Sequence, residues 1–454
     1  MVLSAPRPAT AAHAETGRDL VDAYVAKTPT SARLAERARR VMPGGDTRTV
    51  AFHPPYPITV ASAEGCRMTD VDGNVYVDMI SNYTSLIHGH AHPAIVRAVT
   101  EQLPKGTSYA TSLEAQTRLA EILTGRVATL DKVRFTNSGT EATMNAVRAA
   151  RAFTGRDLLV KMEGGYHGSY DDFEVSVHPD LALAGPADSP VGVMDTRGVP
   201  KSTLHDVMVT PLNDVEALRR TLARSGDLTA AVIVEPVMGA AGVIPAEAAF
   251  LREVQRLCRE HGALFVADEV MSFRLHEGGY QAVLGVEPDL TTFAKIVGGG
   301  FPVGAFGGRD DVMAMFDPSQ PRSVSQSGTF NGNAVTMVAG IAAMELLTAA
   351  EIGRINALGD RLREGLAVTL TDAGLPAVGT GYGSMVGIHL VDGPVRNYRD
   401  SAAGDPALKR QLHTAMLLEG LFAAPRLMFC TSTPMDDAVI DDVIERFGRA
   451  VARL

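Results

Sequence analysis

From about residue 83 to residue 330 the chain repeats one theme: an apolar run, a glycine-containing loop, then a helical pattern. The runs are Lys132–Thr136, Leu158–Met162, Ala231–Glu235, Leu264–Asp268 and Leu290–Ala294. Helices of ten to twenty residues lie between several of them, as in Glu141–Phe153, stopped by Gly155, and Ala246–Glu260, stopped by Gly262. Strands alternating with helices cannot pair as hairpins. The alternation therefore predicts an α/β chain with a mostly parallel sheet covered by helices on both faces.

The flanks read differently. Val21 to about Val41 is polar and helical and ends at Pro43-Gly-Gly45, and residues 56–80 read as short strands around the turn Asp70-Val-Asp-Gly-Asn74. After residue 331 a long apolar helix, Ala334–Leu347, leads into helix, strand and helix segments ending at Leu454. The expected division is a large domain at 83–330 and a smaller C-terminal α/β domain at 331–454. An N-terminal segment, 1–82, would contribute to the small domain and to the active-site entrance.

Composition narrows the class. The 454 residues can bury a large core, and 46% hydrophobic with 21% charged residues is ordinary for a globular enzyme. A net charge of −10 argues against nucleic acid or an anionic membrane as the main partner. Apolar stretches stay short of the 18 or so residues of a membrane span. Cys66, Cys258 and Cys430 lie far apart with no C-x-x-C, so neither a disulfide framework nor a metal site is implied. Cys258 falls in a helical pattern and reads as a small core residue. Met1–Ala14, rich in Ala and Pro with one arginine and no acid, reads as a frayed terminus rather than a transit peptide. The cytoplasm is the expected location.

In open α/β sheets ligands bind beyond the carboxyl ends of the strands, and the polar residues fall there. Lys295 follows the run Leu290–Ala294, and Asp268 ends Leu264–Asp268. A charge beside buried strands is costly unless it reaches a cleft or a partner. An amine and a carboxylate at neighbouring strand ends suit pyridoxal phosphate (PLP): the amine forms a Schiff base and the carboxylate partners the pyridinium nitrogen. Asp268 would keep that nitrogen protonated, with Val270 packed against the ring; an N-cap or loop salt bridge is the plainer role for the carboxylate. Lys295, desolvated, would be nucleophilic and could then shuttle a proton.

Three further stretches add to the set. Ser138, Gly139 and Thr140 lead from a strand into a helix, giving free N–H groups and hydroxyls for a phosphate, although Ser138-x-x-Glu141 equally fits a capping box. Glu163-Gly-Gly-Tyr-His-Gly168 offers Tyr166 as a stacking face beside His167, or is simply a surface turn. Glu235, before Pro236, either meets the ligand or binds loop amides. The glycines Gly298–Gly304 do not fit G-x-G-x-x-G, so no dinucleotide loop is read there.

Together these residues resemble the class III PLP-dependent aminotransferases of fold type I, over about residues 40–450. The most specific elements are Asp268-Glu-Val-Met, Lys295-x-x-Gly-Gly-Gly and Ser-Gly-Thr329-Phe-Asn-Gly-Asn333. By that resemblance Lys295 would carry the cofactor and Asp268 would bind its ring nitrogen. Ser138, Gly139 and Thr140 would hold its phosphate, Tyr166 would stack on its ring, and Thr329 would reach the phosphate of the other subunit. A homodimer with shared active sites is implied.

Two branches compete for the substrate. Glutamate-1-semialdehyde aminomutases are similar through Gly298–Gly308, Tyr166-His-Gly168 and Asn213-Asp214, but usually carry Pro-Val-Arg-Ala-Phe and Ser-Trp-Gly segments. Here those places hold Gly44-Gly-Asp-Thr-Arg-Thr-Val-Ala-Phe52 and Ser81-Asn-Tyr-Thr84. The β-phenylalanine-type aminotransferases resemble the chain at Arg48, Tyr83-Thr84, Phe135–Glu141 and Pro425-Arg426. That resemblance makes Arg48 the clamp on a β-carboxylate, Arg426 a second carboxylate contact and Tyr83 a substrate neighbour; a surface salt bridge is the plainer role for either arginine. Glu235–Gly242 lacks the acid that the ornithine and γ-aminobutyrate branches carry after Glu-Pro, which disfavours those substrates. The expectation is a ping-pong transfer from an aromatic or apolar β-amino acid to a 2-oxo acid such as 2-oxoglutarate or pyruvate. The aminomutase is its enzyme rival, and a PLP-binding protein without turnover is the rival from another class.

Overall fold

The computed structural model describes residues 11–454, so most of the N-terminal stretch read as a frayed end lies outside the described residues. A seven-stranded sheet runs through the middle of the chain. Its order is Lys132–Thr136, Gly304–Gly308, Leu290–Ala294, Leu264–Asp268, Thr229–Val234, Leu158–Met162 and Val207–Thr210. Only Gly304–Gly308 runs against its neighbours; the other six are parallel, as the alternation predicts. The parallel strands therefore end on one edge, which gathers Thr136, Met162, Val234, Asp268 and Ala294 at a common rim.

Two strands lie outside the sequence reading. Val207–Thr210 is a four-residue edge strand, and Gly304–Gly308 (Gly-Ala-Phe-Gly-Gly) has the composition of a loop. The glycines are there because the neighbours leave no room: a Cβ on Gly304 would lie 2.0 Å from the Ser138 carbonyl oxygen. The strand expected at Ala231–Glu235 is Thr229–Val234, which leaves Glu235 just past its end. The helices expected from Glu141 and Ala246 run over Gly139–Thr154 and Ala248–His261, and Gly155 and Gly262 close them in the left-handed conformation.

The chain ends pack together. Val60–Glu64, Arg67–Asp70 and Val75–Asp78 form an antiparallel meander whose last strand pairs in parallel with Leu421–Phe422. Beside it lies a sheet of Val378–Tyr382, Met385–His389 and Met428–Cys430. The apolar stripe of helix Ala349–Asp372, including Leu362, Leu366 and Leu370, meets Ile440, Val443 and Phe447 of helix Asp437–Val451. The N-terminal helical run divides into Ala11–Lys27 and Pro29–Arg39, because Pro29 has no N–H to continue the first helix and suits the start of the second. The three cysteines are buried free thiols. Among the described residues no single helix is long and apolar enough to cross a membrane.

Candidate active site

The rim opens onto a cavity of about 340 Å³, within the range of small-ligand pockets. Lys295, Asp268, Glu235, Tyr166, His167, Gly139, Thr140 and Val270 line it. Lys295 leaves the strand Leu290–Ala294 through a positive φ of 54°, which turns its side chain off the strand's path and into the cavity. Such backbone costs an L-residue about 1–2 kcal/mol, and it is held here by the following turn, Lys295–Gly298. Among the described residues the Lys295 amine makes no ion pair. Desolvation lowers its pKa to about 8, with Asp268 and Glu235 opposing that shift and Arg426 adding to it.

Asp268 is buried and bonded on both oxygens. Its Oδ1 accepts from Thr292 Oγ1 at 2.9 Å and from the Val270 N–H at 3.2 Å. Its Oδ2 lies 2.8 Å from His167 Nδ1. Burial holds the His167 pKa down, so the neutral ring donates from Nδ1. Its Nε2 is buried and has no partner among the described residues. The Glu235 carboxylate spans two loops: Oε1 accepts from the Tyr166 N–H at 2.8 Å and Oε2 from the Gly239 N–H at 3.1 Å. Burial, reinforced by the Asp268 charge, pushes the Glu235 pKa up to about 8. Glu235 thus binds loop amides, the structural role foreseen for it, and it also lines the cavity.

At the other end of the cavity stands the N-terminus of helix Gly139–Thr154. Ser138 Oγ accepts from the Glu141 N–H at 3.2 Å, so the serine caps the helix, while Glu141 Oε2 reaches back to the N–H of Asn137, one residue before the cap, at 2.7 Å. Gly139 and Thr140 face the cavity, whereas Ser138 sits behind them. Thr140 Oγ1 accepts from the Ser169 N–H at 3.2 Å, tying the helix start to the Tyr166 loop. Gly168 makes that tie possible, since a Cβ there would lie 2.6 Å from Thr140 Cα.

Similarity to known proteins now decides the family. The model of the class III aminotransferases matches residues 50–451. The chain belongs to that family. The structure is similar to an omega-transaminase from Sphaerobacter thermophilus, at 46% identity and a TM-score of 0.90, covering 93% of this chain and 97% of that one. It is also similar to a β-phenylalanine aminotransferase from Variovorax paradoxus, at 37% identity and a TM-score of 0.87, with 96% of each chain covered. A glutamate-1-semialdehyde aminomutase from Pseudomonas aeruginosa PAO1 is similar at 25% identity, with a TM-score of 0.88 and coverage of 97% of this chain and 98% of that one. The fold is that of the fold type I PLP-dependent transaminases, and the enzyme uses PLP.

The residues of this aminotransferase fit PLP. A desolvated amine with no ion pair among the described residues, a buried carboxylate on the next strand, the His167 Nε2 that is unpartnered among the same residues and a helix N-terminus face one cavity. Lys295 could bond the aldehyde carbon, Asp268 could hold the ring nitrogen, and the Gly139 and Thr140 end of the helix could take the phosphate. Tyr166, 41% exposed, keeps its ring at the cavity wall and its hydroxyl 3.1 Å from Ser169 Oγ. Thr329 is exposed and lies outside this cavity.

A second cavity, of about 320 Å³, is lined by Tyr83 and Arg426, and Asn82, next to Tyr83 in sequence, lines the first. The Arg426 guanidinium stacks 5.2 Å over the Tyr83 ring. Among the described residues its Nη2 meets only Met428 Sδ, at 3.4 Å, and its buried Nε has no partner. Arg48 is exposed, and its Nη1 donates to Asn82 Oδ1 at 2.8 Å. The Tyr83 hydroxyl donates to the Val50 carbonyl at 2.7 Å. The two arginines therefore flank one short segment, and that segment is unusual. Ser81, Asn82, Tyr83 and Thr84 all have positive φ, from 46° to 73°, and none is glycine. The Asp78 carboxylate accepts from the Ile80 and Ser81 N–H groups at its start, and the buried Arg274 donates to the Thr84 carbonyl at its end.

Sequence reasoning missed Thr292, Asn82 and Arg274. Thr292 had a signal, being a hydroxyl inside an apolar strand that neighbours Asp268. Asn82 and Arg274 had none, because the segment they serve takes its shape from tertiary contacts.

Proposed function

We propose that this aminotransferase moves an amino group from an aromatic or apolar β-amino acid to a 2-oxo acid. The observation that carries the reading is Arg426. A half-buried guanidinium that, among the described residues, hydrogen-bonds a thioether and stacks on a ring but meets no carboxylate at ion-pair distance is suited to take one from a substrate. Arg48, on the far side of Tyr83, supplies a second carboxylate contact nearer solvent. Donor and acceptor each carry a carboxylate, so one site has to seat both in turn. The apolar residues Val50, Phe52 and Pro425 around Arg426 suit an aromatic or aliphatic side chain.

When bound, PLP supplies an electron sink for the amino-bearing carbon of the substrate. Asp268, fixed by Thr292 and the Val270 amide, holds a negative charge where the ring nitrogen sits. His167 keeps that carboxylate oriented. The Lys295 Nζ, with a pKa near the working pH, takes the proton from the amino-bearing carbon and returns it elsewhere. Arg426 and Arg48 orient the carboxylate so that this carbon meets Nζ. Two half-reactions alternate, the donor leaving as its oxo acid before the acceptor enters.

We also read 83–330 as the cofactor domain, with 1–82 and 331–454 forming the smaller one. The strand pairing of Val75–Asp78 with Leu421–Phe422 supports that division. The reading makes the enzyme a cytoplasmic homodimer in which the exposed Thr329, beside Phe330 at 60% exposure, reaches the partner's phosphate site.

A donor and acceptor panel tests the substrate. β-Phenylalanine with pyruvate or 2-oxoglutarate should give the new amino acid in equal amount to donor lost. Consumption of glutamate-1-semialdehyde without any second substrate, and no transfer from β-amino acids, would assign the aminomutase instead.

A further inference from the structure

One buried guanidinium joins the segment that carries Tyr83 to the segment that carries Arg426. Arg274 stands in the turn Ser272–Leu275, on the loop that leaves the Asp268 strand, and its side chain is shut off from solvent. It lines neither cavity. Its Nη1 donates to the Thr84 carbonyl at 3.4 Å, at the end of the left-handed segment that holds Asn82 and Tyr83. Its Nη2 donates to the Thr431 carbonyl. Arg426 precedes the short strand Met428–Cys430 and Thr431 follows it directly, so that bond fixes the far end of the Arg426 strand. Nε completes the fork on Ser384 Oγ at 3.0 Å, and the Cys430 side chain hydrogen-bonds both Arg274 and Ser81. Asn356 supports the fork from behind, donating to the Leu275 carbonyl at 2.9 Å and accepting from the Ser384 N–H at 3.0 Å. None of these partners is a carboxylate. A charge buried against carbonyls, a hydroxyl and a thiol is costly, and an apolar side chain would fill the space without that penalty. What the guanidinium adds is a flat set of donors that meets separate segments in one geometry. The Arg426 guanidinium stacks 5.2 Å over the Tyr83 ring, and that arrangement depends on how the two gripped segments sit.

We infer that Arg274 is a positioning residue for substrate recognition: by holding the Thr84 and Thr431 carbonyls in one fork it sets Arg426 against Tyr83. The inference rests on the carboxylate role proposed above for Arg426. It puts a determinant of substrate affinity on the loop that carries Asp268, at a residue that touches neither substrate nor cofactor.

The test is binding of 3-phenylpropanoate, an unreactive carboxylate, to the PLP-loaded enzyme, read from the change in cofactor absorbance. The proteins compared are the wild type, Arg274→Lys, Arg426→Met and the double variant. Arg274→Lys keeps the charge but loses the fork, and should weaken binding about tenfold with PLP affinity held within about twofold. Arg426→Met should weaken it at least as much. The double variant should bind no more weakly than Arg426→Met alone, because Arg274 acts through Arg426. Ser384→Ala removes one bond of the fork and leaves the charge; it should weaken binding about threefold and takes the place of Arg274→Lys in the same cycle should the lysine variant misfold. Unchanged binding in Arg274→Lys and Ser384→Ala overturns the inference. Additive losses in the double variant overturn it too, as does a PLP affinity that falls as far as the affinity for the acid. If Arg426→Met binds the acid as tightly as the wild type, the carboxylate reading of Arg426 fails and takes this inference with it. A loss in Arg426→Met with none in Arg274→Lys sinks the positioning role alone.

Discussion

The two walls of the active site are built in opposite ways. The wall proposed to meet the cofactor comes from strand ends: Asp268 closes a buried strand, Glu235 and Lys295 each follow one directly, and the two carboxylates are fixed by backbone or side-chain hydrogen bonds. The wall proposed to meet the substrate comes from loops. Arg48 is exposed, Arg426 has an unpartnered nitrogen, and both lean on a four-residue left-handed turn. The first arrangement is rigid and holds chemistry that does not vary with substrate. The second is strained, at about 1–2 kcal/mol per left-handed residue, and is stabilised from outside by Asp78 and Arg274. Substrate choice is thereby separated from the reaction itself.

Substitutions on the two walls should therefore fail differently. The largest effect is expected for Lys295→Ala, which should lower transamination by roughly 10⁴-fold or more, since both cofactor attachment and the proton shuttle are removed. Stopped-flow half-reactions with a β-amino acid would measure it. Asp268→Asn should lower kcat by roughly 10²–10³-fold with a much smaller change in KM, as the neutral amide cannot hold the ring nitrogen protonated. An Asp268→Asn enzyme with normal kcat would break the distinction between the walls.

Across the site, Arg426→Met should raise KM for the oxo acid about 10–100-fold while leaving cofactor affinity within a few-fold, the loss being that of a charged hydrogen bond. If cofactor binding fell as far as KM, the two walls would not be separate. The smallest effect is expected for Thr292→Val. It removes one hydrogen bond to Asp268 and should cost about 1 kcal/mol, or roughly fivefold in kcat, with KM little changed.

The same contrast governs how much could be read from sequence. Lys295 and Asp268 announce themselves because a charge closing an apolar run is expensive to bury, and five of the six parallel strands follow from the alternation. Gly304–Gly308 escaped because glycine disfavours strands by propensity. Here its missing Cβ is what lets the strand pass the Ser138 carbonyl. The turn Ser81–Thr84 escaped for the opposite reason: no residue in it favours positive φ strongly, and contacts from Arg274 hold its end, nearly two hundred residues away in sequence. Ser138 shows a third case, in which the plainer capping reading is present and the cavity-facing atoms belong to the next two residues. The pairing of Arg48 with Arg426 came from family resemblance; the structure adds that Tyr83 lies between them.

The central claim is that a desolvated Lys295 amine at a strand end holds the cofactor. Apoenzyme should be mixed with PLP from pH 6 to pH 10, quenched with borohydride, digested, and the labelled peptide identified. Because burial lowers the amine's pKa to about 8, the neutral, reactive form grows as pH rises toward that value. The capture rate should thus rise about tenfold per unit below pH 8 and level off above it, with the label on Lys295. A label on another lysine would contradict the account, as would a rate that keeps climbing to pH 10 like that of an ordinary surface amine.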